Sequence, residues 1–73
     1  MNDAEALGRV FRELRGKMSQ ELVGYELGFT QRKVSDLERK GIYQVADLMT
    51  ISEYYGMKIS NIMLRAEDKK DGK

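Results

Sequence analysis

The 73-residue sequence contains no cysteine, no histidine and no proline. Without cysteine there is neither a disulfide nor a thiolate metal site. Without histidine, the commonest general base and the commonest metal ligand are missing. No nucleophile–base pair, phosphate-cradling loop or metal cluster is visible, so an enzyme is not expected, and neither is a metal, a cofactor or a small-molecule ligand. No run of about 18 apolar residues occurs, so no membrane span is expected. The opening stretch MNDAEALGRV is acidic and then basic, the wrong order for a secretory signal. A cytoplasmic address is the expectation.

What is present suits one small domain. A chain of this size buries only about 60% of its unfolded surface and is marginal as a monomer. With disulfides and metals excluded, a homodimer is the expected aid. The net charge is +1, but residues 9–41 carry +3 while residues 1–8 carry −2. That bias points weakly towards a polyanionic partner.

No segment alternates long enough to form a strand, and helical spacing dominates. An all-α domain over residues 1–65 is expected, with helices at about 4–15, 19–27, 30–40, 44–55 and 59–65. Leu7, Val10, Phe11 and Leu14 share one face of the first. Ser19 and Thr30 are natural N-caps of the second and third. Gly16, Gly28 and Gly41 end the first three helices, and Gly56 suits the left-handed C′ position of the fourth. The fourth helix is expected to turn Val45, Leu48, Met49, Ser52 and Tyr55 inward. The charged segment AEDKKDGK, residues 66–73, has no apolar anchor beyond Ala66 and is expected to be a disordered tail.

Gly24 stands inside the second helix, where glycine costs roughly 1 kcal/mol against alanine. An unselected weak spot is one explanation. A steric demand is the better one. Two helices that cross after a turn of about three residues bring their backbones close, and the crossing residue must be tiny. Gly28 then supplies the positive φ of the turn. Val34 and Leu37 fold back on Val23 and Leu27. These features describe a helix-turn-helix.

The stretch SQELVGYELGFTQRKVSDLE, Ser19 to Glu38, resembles the helix-turn-helix of the Cro/CI-like, xenobiotic-response-element regulators. Gln20, Gly24, Gly28, Val34, Leu37 and Glu38 fall at the family's opening glutamine, small residue, turn glycine, two apolar positions and usual glutamate. LGRVFRELRGKMSQ before it and LMTISEYYGMKISNIM after it are similar to the family's first, fourth and fifth helices, so the likeness runs from Leu7 to Leu64. It implies a compact five-helix, lambda-repressor-like domain, and an Arg15–Glu38 pair that ties the first helix to the third. It also implies a phosphate contact by Gln20 and dimerisation through the late helices.

In a helix-turn-helix the N-terminal part of the second helix reads base edges in the major groove. Here that part is Thr30-Gln31-Arg32-Lys33, with basic residues where the helix dipole favours acids. A phosphate backbone would compensate. Gln31 can pair with adenine, and Arg32 or Lys33 with guanine. Ser35 can reach a base or a phosphate. Asp36 can accept from cytosine N4 or pair with Arg32 or Lys40 along its own helix; the intrahelical pair is favoured. Gln20, Thr30, Arg39, Lys40, Tyr43 and Gln44 are candidate phosphate contacts.

Tyr54, Ile59, Ile62, Met63 and Leu64 are the candidate dimer interface, with Tyr55 beside them; completing the monomer core is the alternative for about half of this cluster. The expected function is sequence-specific transcriptional regulation on an inverted-repeat operator, close to the protein's own promoter and with RNA polymerase a further candidate partner. The host system, be it phage, mobile element or restriction–modification, and the sign of regulation stay open. The alternative is a protein-interaction or antitoxin-type module on the same fold.

Overall fold

The structure, a computed structural model, describes residues 1–71. The first three helices begin at side-chain caps, and α4 and α5 begin without one. α1, Asp3–Arg15, starts from a reciprocal cap: the Glu5 N–H donates to Asn2 Oδ1 at 2.8 Å and the Asn2 N–H donates to Glu5 Oε1 at 2.9 Å. Asp3 and Glu5 lie in its first turn and Arg12 and Arg15 in its last, matching the helix dipole at both ends. Ser19 caps α2, Gln20–Leu27, and Thr30 caps α3, Gln31–Lys40, each hydroxyl accepting a backbone N–H at 3.0 Å. α4 runs Val45–Tyr55 and closes at Gly56, whose φ of 65° is left-handed. α5 runs Ile59–Lys70. The protein is an all-α, five-helix domain, and no strand occurs among the described residues.

α1 is the central element, packed against both α3 and α5. Ala6, Leu7, Val10 and Phe11 from α1 meet Val23, Val34, Leu37, Ile42, Leu48, Ile51, Ile62 and Ala66 in one core. At Gly8 the α1 backbone runs so close to α3 that an added Cβ would sit 2.3 Å from the Leu37 carbonyl oxygen. The Ile42 N–H donates to the Ala4 carbonyl at 2.9 Å and pins the α3–α4 connection to the start of α1.

Two expectations need correction. α5 does not stop near residue 65: it continues to Lys70, and Ala66 is only 5% exposed within the core. Ala66 stands four residues after Ile62 on the same face, while Arg65 and Lys69 reach Glu13 and Lys70 reaches Asp3 on α1. Charge pairing with a distant element replaces the apolar anchor that the local sequence lacks. Residues 72–73 of the expected tail lie outside the described residues. In α4 the inward stripe is Leu48, Ile51 and Tyr55, flanked by Asp47 and Ser52; Val45 is 69% exposed and Met49 also faces out. Val45 and Met49 lie roughly a quarter turn or more from the centre of that stripe.

Candidate nucleic-acid interface

The candidate surface begins with how the chain turns from α2 into α3. The Phe29 N–H donates to the Gly24 carbonyl at 2.7 Å and the Gly28 N–H to the Tyr25 carbonyl at 3.4 Å. This is the Schellman pattern, and Gly28 holds its left-handed position at φ 77°. The turn therefore folds directly over Gly24. A Cβ on Gly24 would lie 2.8 Å from the Phe29 carbonyl oxygen and 3.3 Å from both the Thr30 oxygen and Val34 Cγ2. The steric account of this glycine holds. Val34 and Leu37 are buried, so the inner face of α3 is committed to the core.

Beneath the turn, three helices meet on one carboxylate. Arg15 donates to Glu38 through Nε at 2.5 Å and Nη2 at 2.9 Å, and its Nη1 donates to the Met18 carbonyl at 2.7 Å. The Gln20 amide donates to Glu38 Oε1 at 3.0 Å. The hydrogen bonds to Glu38 push the Arg15 guanidinium pKa up, against the opposing effect of burial. The pair that ties α1 to α3 is thus present, and Gln20 brings in α2. Gln20 is oriented by this bond, which leaves one amide N–H for an outside acceptor.

The outer face of α3 is open. Gln31 and Arg32 are exposed, the Arg32 side chain at 87%, and the first turn contains no acid. Ser35 and Asp36 sit lower, with Arg39 and Lys40 exposed beyond them. A shallow groove of about 400 Å³ runs along this face, lined by Gln20, Gln31, Arg32, Ser35, Asp36 and Arg39. Asp36 faces three cations of its own helix: Arg39 Nη2 at 3.1 Å, Lys40 Nζ at 3.8 Å and Arg32 Nε at 4.0 Å. The favoured intrahelical pairing is what the structure has. Arg39 Nε also donates to Ser35 Oγ at 3.3 Å.

Lys33 departs from the expected base-reading set. Its Nζ lies 2.9 Å from Asp47 Oδ1 on α4 and 4.4 Å from the centre of the Phe29 ring. The Asp47 side chain is only 12% exposed, so this cation neutralises a carboxylate inside the fold rather than waiting at the groove. Asp47 was not among the candidate residues. As the acid in the first turn of α4 it has a local justification, and nothing local indicates a partner fourteen positions upstream.

The remaining candidates divide by position. Thr30 Oγ1 is occupied as an acceptor by its cap, and its hydroxyl hydrogen remains a donor. Tyr43 and Gln44 are exposed on the α3–α4 connection, and the Gln44 side chain makes no cap bond. In the late cluster, Ile62 is 1% exposed and belongs to the core, so it is not an interface residue. Ile59 is half-buried against that core, and the Tyr54 hydroxyl donates to Glu26 Oε1 at 2.9 Å. Met63 and Leu64 do face out, Leu64 at 65%. Ile62, Met63 and Leu64 are consecutive, and a helix spreads the three over about 200°, so all three cannot face one surface and Ile62 is the one turned inward. On α2, Leu22 and Tyr25 are also exposed.

No protein-family model, no curated protein and no solved structure matches the chain. No helix of the described residues is long and apolar enough to cross a membrane. Among the same residues no group of three or more metal-ligating side chains comes together.

Proposed function

We propose that this protein is a sequence-specific, double-stranded DNA-binding regulator that lays α3 in the major groove. The observation that carries the proposal is the outer face of α3. Its inner side is packed, its first turn is basic instead of acidic, and Gln31, Arg32, Ser35 and Arg39 line one open groove with Gln20. Gln31 and Arg32 are the base readers, suited to adenine and guanine edges. Gln20, Thr30, Arg39, Lys40, Tyr43 and Gln44 flank them as phosphate contacts that set register.

The protein acts as a homodimer through Met63 and Leu64, with Tyr54 and Ile59 at the edge. The domain measures 31 × 23 × 21 Å, so two copies side by side can present their α3 helices about one DNA turn, roughly 34 Å, apart. The target is then a short inverted repeat, and the protein's own promoter is the first candidate. It acts in the cytoplasm by occupying DNA, against or beside RNA polymerase.

The test is a binding titration at two salt concentrations against DNA upstream of the gene and a scrambled copy. Tight, salt-dependent binding to the native DNA alone is expected. Binding to neither would move the assignment to a protein-interaction module, which the exposed Leu22 and Tyr25 on α2 and Leu64 on α5 would suit. Arg32→Glu separates the two functions: it should abolish DNA binding and spare a protein partner.

A further inference from the structure

Resting on the DNA-binding function above, we propose that Asp36 is a specificity-determining residue that restrains Arg32 from binding DNA of the wrong sequence. Glu38, the other acid of α3, is buried against Arg15, so among the described residues Asp36 is the one carboxylate on this helix's outer face. It lies in the groove itself. An acid there is a liability for binding a polyanion, yet this one is ringed by Arg32, Arg39 and Lys40 at 4.0, 3.1 and 3.8 Å.

The geometry of those contacts matters. Arg39 is held by two of its nitrogens, Nε on Ser35 and Nη2 on Asp36, which leaves Nη1 for an outside acceptor. Arg32 approaches Asp36 through Nε and its side chain is 87% exposed, which leaves both Nη groups for an outside acceptor. The Nη groups of Arg32 can engage guanine O6 and N7, and Nη1 of Arg39 a phosphate, while both arginines stay beside Asp36. A phosphate grip by Arg32 is different. Binding to arbitrary sequence comes almost wholly from neutralising phosphates. If Arg32, the base reader, swings out to a phosphate it abandons Asp36 and leaves its carboxylate less compensated against the backbone. The resulting repulsion falls mainly on DNA that offers no matching base edges, and so favours the correct site by penalising the others.

Asp36→Asn keeps the shape and removes the charge. Asp36→Glu keeps the charge. Both substitutions touch only exposed partners, and melting curves check that the fold is retained. The parent and both variants are first used to select duplexes from a random-sequence pool. Affinity for the selected duplex and for a random duplex is then measured at two salt concentrations. For Asp36→Asn the random duplex should bind more tightly, with a salt slope steeper by about one. The ratio of selected to random affinity should fall about tenfold, the effect of one mismatched base pair. Asp36→Glu should keep most of the parent's ratio. Equal gains by Asp36→Asn on both duplexes, or no change on either, would overturn the role of Asp36 while leaving DNA binding in place. A parent that selects no sequence from the pool would instead overturn the sequence-specific function, and this inference with it.

Discussion

At Gly24 two effects of opposite sign can be weighed. Alanine would gain roughly 1 kcal/mol of helix propensity. Its Cβ would also meet the Phe29 carbonyl oxygen at 2.8 Å, a rigid backbone atom at the turn. Overpacking of this kind costs about 1–3 kcal/mol or more, so the steric effect prevails. Gly24→Ala should lower the melting temperature and Gly24→Val should lower it further. An alanine variant as stable as the parent would refute the close approach.

Lys33 and Arg32 are neighbours with opposite forecasts. Arg32→Ala should leave the melting temperature unchanged and weaken specific DNA binding by about 1–3 kcal/mol if it holds a guanine. Lys33→Ala strands the Asp47 carboxylate, 12% exposed, without its cation. It should destabilise the fold by about 1–3 kcal/mol, read by urea denaturation. Asp47→Asn should cost less, because the Lys33 side chain that loses its partner is 43% exposed and can turn to water. A Lys33→Ala protein with parental stability and lost DNA binding would return Lys33 to the base readers.

Among the elements, α5 is tied to α1 by charge. Arg65 and Lys69 meet at Glu13, and Lys70 pairs with Asp3 and Glu67. The hydrogen bond from Lys69, aided by the charges of Lys69 and Arg65, holds the Glu13 carboxyl below its ordinary value of 4.5. A carboxyl with a lowered pKa in the fold binds fewer protons there than when unfolded. Its stabilisation is therefore complete above about pH 4.5 and is lost as the pH falls through the lower folded value. Glu13→Gln should melt below the parent at pH 7, by a small margin since the pair is solvent-exposed. The gap should close on acidification, and also in high salt. A gap that persists in acid would mean that Glu13 acts through packing and not through charge.

For α2 and α3, the sequence carried nearly all of the local information. Ser19, Gly28 and Thr30 are short-range signals, each acting on backbone within a turn of itself, and each does in the structure what its chemistry indicated. The register of α4 was harder. Val45 and Leu48 are three apart, as are Leu48 and Ile51, so helical spacing admits either pair as the inward side. Only packing against the rest of the core selects Leu48 and Ile51.

For the whole molecule, the core is small and Met63 and Leu64 of α5 stand 52% and 65% exposed. Substituting Leu64→Glu, at a residue 65% exposed, should leave the monomer folded. If the homodimer forms there, sedimentation should show the variant as monomer, with weaker binding to a two-half-site duplex and parental binding to a single half-site. A dimer that survives this substitution would place the interface elsewhere, for instance at Leu22 and Tyr25 on α2.

The sequence by itself determined what acts over short range: five helices and most of their ends, the glycine required under the turn, and a basic start to α3. These follow from caps, spacing and backbone sterics, each contained within a few residues. Tertiary structure alone decided the rest. It drew Lys33 across to Asp47, buried Ile62, turned Val45 and Met49 outward, and carried α5 past Ala66 to Lys70. Each of these depends on a partner from another helix. Burial and charge pairing are properties of distance in space, and a helix's own sequence does not contain the positions of its neighbours.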